Sequence, residues 1–212
     1  MDERLTDLTV REFVARLATN SPVPGGGSAA ALAGAMAAAL MHMVIELTAG
    51  RPAALDHEAT LADLKLAAAA AQSELLALTE TDAAAYEAVV RARRLPRDTD
   101  RDREARQVQI HAATRDATRV PLDAAREAAR ILDIAAALAP IANRNAISDV
   151  GVGALLAAAA VRGAAHNVLI NVPFLPDDEA LRTDAPAAVR ELLDALPARE
   201  SAIAAAVEER MG

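Results

Sequence analysis

The sequence predicts an all-α protein, an up-and-down bundle of long, partly kinked helices packed as a homodimer, and three observations support this. Apolar residues make up 53% of the 212 residues and aromatic residues only 1%, so the core has to be assembled from Ala, Leu, Val and Ile. Apolar positions recur at helical spacing between Gly and Pro punctuation, and no stretch alternates long enough for a strand. Two runs, 29–45 and the one that follows 145, are apolar over more of their circumference than one small bundle covers. A second copy would cover the excess.

The elements follow in order. Thr9 and Glu12 have the spacing of a capping box, and Phe13, Val14 and Leu17 fall on one face of the short helix it opens. Residues 20–27, Asn-Ser-Pro-Val-Pro-Gly-Gly-Gly, interrupt the chain, and Ser28 is placed to cap the next helix. In that helix Ala31, Gly34 and Ala38 let neighbouring backbones come close; it ends near the Gly-Arg-Pro at 50–52. Residues 56–94 carry no Gly or Pro and read as one long helix. Beyond Leu95 and Pro96, residues 101–138 are helical again, with Pro121 as a kink or break and Val120, Leu122, Ile131, Leu132 and Ile134 on the apolar faces. The stretch 143–149 is rich in capping residues, so Asn145 or Ser148 is expected to cap a second apolar helix reaching about 169. Residues 171–176 read as a loop, and 187–210 as a last amphipathic helix with Pro197 as a break. Pro, Gly and charge are spread between helices rather than gathered into a linker, so residues 1–212 are expected to form a single domain.

Composition excludes several function classes. The net charge is −8, and the Arg-rich stretch 91–106 is interleaved with Asp98, Asp100, Asp102 and Glu104; a nucleic-acid surface is not expected. Cysteine is absent, which removes disulfides, thiolate zinc sites and cysteine nucleophiles and points to a reducing cytoplasm. The N-terminus lacks the basic-then-apolar pattern of a secretion signal. The run 29–45 is long enough to suggest a membrane span, but Ala adds little hydrophobicity and His42 and Glu46 lie in or beside it, so a buried central helix is expected and no membrane association.

Four groups of residues could carry chemistry. Gly25, Gly26, Gly27 and Ser28 let backbone approach a ligand and precede a helix N-terminus, or form a tight helix entry. They lack the Gly-Lys-Ser/Thr ending and the preceding strand of a nucleotide loop. Asp82 and Tyr86 share a helix face, where a carboxylate beside a phenol can orient or relay a proton; alternatively, Asp82 faces solvent and Tyr86 packs in the core. Asn145, Ser148 and Asp149 stand where side chains cap a helix and its dipole favours an anion. Arg162, His166, Asn167 and Asn171 cluster at the far end of the same helix and need partners if buried. A further pair, His42 and Glu46, four apart, reads as an acid/base couple or, more simply, as a self-satisfied contact in the core. No two histidines have metal-ligand spacing, so no metal cofactor is expected, and Ser/His/Asp catalysis lacks its Gly-x-Ser-x-Gly elbow.

Taken together, Ser21-Pro-Val-Pro-Gly-Gly-Gly-Ser28, the helix 29–48, Asp82-Ala-Ala-Ala-Tyr86, Val120-Pro-Leu122, Asn145-Ala-Ile-Ser-Asp149 and Arg162-Gly-Ala-Ala-His-Asn-Val-Leu-Ile-Asn171 resemble the formiminotransferase-cyclodeaminase C-terminal family. The order and spacing match over nearly the whole chain, and Leu95-Pro-Arg-Asp-Thr99 resembles stand-alone members that include bacterial methenyltetrahydrofolate cyclohydrolases. The resemblance implies an all-helical dimer acting on the one-carbon bridge between N5 and N10 of tetrahydrofolate, with a folate as substrate and no metal or nucleotide cofactor. The activity it implies first is formiminotetrahydrofolate cyclodeaminase, which closes 5-formiminotetrahydrofolate to the 5,10-methenyl form with loss of ammonia. The sibling activity, methenyltetrahydrofolate cyclohydrolase, adds water to that bridge to give 10-formyltetrahydrofolate. A non-catalytic folate-binding or structural dimer is the reading from another class. On this scheme Asp82 and Asp149 transfer protons or stabilise the cationic bridge; Gly25, Gly26, Gly27, Ser28, Tyr86, Asn145 and Ser148 bind and orient the substrate. The chain departs from the family at 50–55, Gly-Arg-Pro-Ala-Ala-Leu, where many members have a Lys-rich run ending in Tyr, at Glu46 in place of a usual Asn, and at 139–142, Ala-Pro-Ile-Ala, in place of a Lys/Gly-containing segment.

Overall fold

Threonine starts two of the helices in the computed structural model, which describes residues 4–212. The Thr9 and Thr99 hydroxyls accept the N–H groups of Glu12 and Asp102, whose carboxylates reach back to the threonine N–H, closing capping boxes before α1 (Val10–Leu17) and α4 (Asp100–Leu138). The other helices are α2 (Gly26–Thr48), α3 (Glu58–Arg93), α5 (Ile147–Asn171) and α6 (Leu181–Met211), and no strand is present among the described residues.

Helices α2 to α5 form a square, each packed on the next and α5 back on α2, with α2 and α4 also touching across the short diagonal; α6 lies over α4 and α5. The connections alternate up and down, as expected from the sequence. Met41, Ile45, Leu61, Leu75, Ile131, Leu132, Leu138, Val150 and Val161 fill the centre, separated by fully buried Ala37, Ala38, Ala68, Ala125, Ala128, Ala135 and Ala157. Alanine has no side-chain rotamers to lose and lets helix axes close up, so this core gains from close backbone contact what it lacks in aromatic area.

Several expectations are corrected. Helix α2 starts at Gly26 with Gly25 as its N-cap and no side-chain cap; Ser28 lies inside the first turn, and its hydroxyl is turned to Asp82. At α5 the N-cap is Ala146, also without a side-chain bond, and the capping expected of Asn145 or Ser148 falls to Asn143, which accepts the Asn145 N–H one turn earlier. Helix α6 begins at Leu181 and runs through both Pro186 and Pro197, and the loop at 171–176 contains a 3-10 turn, Val172–Phe174. Of the face expected on α1, Phe13 alone is buried; Val14 and Leu17 remain exposed.

Pro121 sits inside α4 without ending it. Its missing N–H leaves the buried Ala117 carbonyl, four residues back, without a helical partner. Asn171 supplies one from α5: its Nδ2 donates to the Ala117 oxygen at 2.7 Å and to the Asn167 oxygen at 2.9 Å. Asn171→Leu is therefore expected to cost about 1–3 kcal/mol by leaving that carbonyl unpaired. In a Pro121→Ala background, where the helix regains its own donor, the cost is expected to fall well below this. A denaturant-based double-mutant cycle with equal costs in both backgrounds would contradict the coupling.

Helices α2 and α5 are long and apolar enough to cross a membrane, yet 56% and 50% of their most apolar stretches are buried in the bundle. Much of what stays outside is also apolar. Ala29, Ala33, Met36, Leu40, Met43 and Leu47 run down α2, and Val152, Leu155 and Ala159 run down α5, all at least partly exposed. The stripes adjoin where Leu40 of α2 packs against Gly153 of α5.

Candidate functional site

The last three turns of α3 present Asp82, Tyr86, Val89 and Arg93 at a spacing that keeps all four on one face. The end of α5 and the turn beyond it present Asn167, Ile170, Asn171 and Phe174 in the same way. These two faces, with Ala117 of α4 and Pro22, Val23, Gly25, Gly26 and Gly27 at the entry to α2, line a cleft of ≈ 350 Å³. That volume is at the small end of the range for ligand pockets.

Among the described residues, Asp82 is the only carboxylate lining the cleft. Ser28 Oγ donates to its Oδ2 at 2.9 Å, and the Ser28 backbone N–H is also turned to it, so the carboxylate occupies the position where the first turn of α2 leaves unpaired donors. Gly27 makes the approach feasible: a Cβ built there would lie 2.1 Å from Asp82 Oδ1 and 2.6 Å from its Cγ. Burial pushes the Asp82 carboxyl above the ordinary aspartate range, against the lowering effect of the two Ser28 donors. A carboxyl moved towards neutrality is suited to exchange protons with a ligand.

Aromatic and cationic groups lie further along. Tyr86 and Phe174 are 44% and 55% exposed, and the Arg93 guanidinium lies over the Phe174 ring, 5.4 Å from its centroid. Asn167 is held by a bond from its Nδ2 to the Gly163 oxygen at 2.8 Å, beside Gly26. The cleft is thus negative at its inner end, positive at its rim and flat-walled between.

The residues expected from sequence divide into two sets. Gly25, Gly26, Gly27, Asp82 and Tyr86 line the cleft, with Ser28 buried directly behind Asp82. Contrary to the bland alternative for the α3 pair, the carboxylate is the buried partner and the phenol the exposed one. Ser148 and Asp149 lie at the opposite end of α5 and Asn145 in the turn before it; Asp149 is 18 residues and about 27 Å along the axis from Asn167. There the Asn143 N–H donates to Thr48 Oγ1 at 2.9 Å, and Asn145 lines a separate cavity with Arg51, Arg144 and Arg210. One chain therefore does not bring Asp149 to Asp82, and the altered segment at 50–55 belongs to that far end too. His42 and Glu46 do form a contact, 3.5 Å apart, with Lys65 also on Glu46, outside the cleft. Arg162 leaves the polar cluster on α5 to pair with Glu200 at 2.6 Å. The sequence reading missed Arg93, Val89, Ile170 and Phe174. Continuing the Asp82–Tyr86 face by two turns would have found Val89 and Arg93; Phe174, beyond the end of its helix, has no such signal.

The formiminotransferase-cyclodeaminase family matches residues 9–191. The chain belongs to that family. Within it, the chain is 40% identical over 169 residues to a methenyltetrahydrofolate cyclohydrolase of Methylorubrum extorquens, covering 80% of this chain and 81% of that one. It is 35% identical over 178 residues to the rat formimidoyltransferase-cyclodeaminase, covering 84% of this chain and 33% of that longer protein. The crystal structure of formiminotetrahydrofolate cyclodeaminase from Thermotoga maritima superposes with a TM-score of 0.85 at 26% identity, over 97% of this chain and 98% of that one. This family works in folate one-carbon chemistry, and its cyclodeaminase and cyclohydrolase members both have relatives of this chain among them.

Proposed function

We propose that this chain hydrolyses the bridge of 5,10-methenyltetrahydrofolate, with Asp82 as the proton-transfer group. The observation that carries the reading is the partly buried carboxyl of Asp82 at the glycine turn, raised above the ordinary aspartate range and opening onto a flat-walled cleft. The methenyl carbon between two nitrogens is already electrophilic. Water adds to it as Asp82 takes one proton, giving a tetrahedral carbon that carries a hydroxyl; the bond to N5 then breaks as Asp82 returns that proton to N5 and the hydroxyl loses its own to solvent, leaving the formyl group on N10. The anionic Asp82 also stabilises the cationic bridge before attack. Likeness to a cyclohydrolase over four-fifths of both chains favours water over ammonia chemistry. Cyclodeamination, in which N10 adds to the formimino carbon and the resulting tetrahedral carbon expels its amino group as ammonia, is the second reading, favoured by the full-length likeness to the Thermotoga maritima enzyme.

Absorbance of the methenyl form separates them. Loss of signal when 5,10-methenyltetrahydrofolate is supplied supports hydrolysis, and a gain from 5-formiminotetrahydrofolate supports cyclodeamination. Folate binding with neither change marks a non-catalytic homologue, and no binding removes all three readings.

The same proposal gives Asp149 a place. The outward apolar stripes of α2 and α5 suit a second copy packed antiparallel, which would carry its Asn145, Ser148 and Asp149 towards the first copy's cleft. Asp82→Asn and Asp149→Asn, each inactive alone, are then expected to recover about a quarter of parental activity when co-expressed, because half the dimers are mixed and each holds one intact site. No recovery, or a 22.0 kDa monomer by light scattering, would exclude a shared site.

A further inference from the structure

We propose that Arg93 receives the anionic tail of the substrate and so fixes which way round the molecule lies, its one-carbon end at Asp82 and its glutamyl carboxylate at the rim. This rests on the folate reading above. Asp82 and Arg93 are eleven residues apart on one face of α3, a separation of about 16 Å along the axis. In a molecule built as a pteridine, an aminobenzoyl group and a glutamate in line, the aminobenzoyl ring and the extended glutamyl chain lie between the bridge and the terminal carboxylate; that length with a hydrogen bond at each end spans this separation, and the ring between is flat for Tyr86 and Phe174 to face.

Arg93 is singled out within its own stretch. Arg91 is paired with Glu87, Arg103 with Asp100, and Arg106 donates to the Arg93 carbonyl oxygen at 3.0 Å. The Arg93 side chain donates to no protein acceptor among the described residues and instead lines the cleft, steadied over Phe174. Stacking on a ring leaves the edge of the guanidinium, with its forked donors, open to a carboxylate. Asp82, the only carboxylate lining the cleft among the described residues, is at the other end, so the rim cation is left for the ligand.

The test compares 5,10-methenyltetrahydrofolate with 5,10-methenyltetrahydropteroate, which lacks the glutamate, on the parent and on Arg93→Gln. Arg93 is exposed at the last residue of α3, and circular dichroism checks that the variant folds. The expected result is a KM for the glutamylated substrate raised about tenfold with kcat nearly unchanged, and an unaltered KM for the pteroate. Arg93→Lys, which keeps charge without the fork, is expected to fall between. Equal KM values for parent and Arg93→Gln on the glutamylated substrate, with the parent active, overturn the role of Arg93 alone. A parent that neither binds nor converts either compound overturns the folate reading with it.

Discussion

Asp82→Asn is expected to yield a folded protein with turnover lower by about 10²–10⁴-fold, the usual worth of a positioned acid–base group, and with higher stability than the parent at neutral pH. The amide keeps an oxygen for the Ser28 hydroxyl, so the local bond survives while the proton-transfer group is lost. The stability gain follows from the raised pKa. Burial makes the ionised form costlier in the folded chain than in the unfolded one; the favourable contribution of Asp82 is therefore complete below the ordinary aspartate range and lost as pH rises through the higher folded value. At neutral pH the parent carries the cost and the variant does not. Melting curves across pH are expected to show the variant's advantage shrinking towards acid. The acid limb of kcat/KM in the parent is expected above the ordinary aspartate range. Full turnover in Asp82→Asn, or an acid limb at an ordinary aspartate value, would exclude this assignment.

Gly27→Ala is expected to lower kcat/KM by about 10²-fold, the scale on which a displacement of roughly 1 Å in a reacting group is felt. A methyl group at this position meets all three terminal atoms of Asp82, at 2.1, 2.6 and 2.7 Å. Asp82 is short, so its whole carboxylate has to leave the first turn of α2. Folding is not expected to suffer in proportion, because alanine is a better helix former than glycine by roughly 0.5–1 kcal/mol. Gly26→Ala is the comparison. Its Cβ comes no closer than 3.7 Å to Asn167 Nδ2, ordinary contact, so a much smaller loss is expected. Similar losses in both would mean that the turn binds through its backbone rather than by admitting Asp82.

The helices were legible in the sequence because their signals are local. Thr9 with Glu12, the unbroken 56–94 run and the Gly at 50, which takes φ +71° just past α2, each act within a few residues. The Asp82–Tyr86 face and the glycine turn were legible for the same reason. What could not be read was which ends of helices meet. Ser148 and Asp149 share α5 with Asn167 and Asn171, and Asn145 lies in the turn just before it, but a helix of 25 residues separates its ends by more than a pocket's width, and only tertiary packing says which end faces the glycines. Ser28 shows the same limit from the other side: its residue type and position suit a cap, but a carboxylate 54 residues away is a better partner for the hydroxyl than the backbone of its own turn. Pro197 reads as a break because a proline's cost is local, whereas the packing of α6 on two neighbours that offsets it is not.

The bond from Asn171 to the Ala117 carbonyl ties two positions 54 residues apart into one heritable unit. A descendant that replaces Pro121 with a residue carrying an N–H loses its need for the amide at 171, and that position, already at the edge of the cleft, becomes free to vary. One that keeps the proline holds position 171 to a donor side chain. Change at the cleft floor is therefore gated by a residue in the interior of another helix, and the order of substitutions along a lineage should run from 121 to 171.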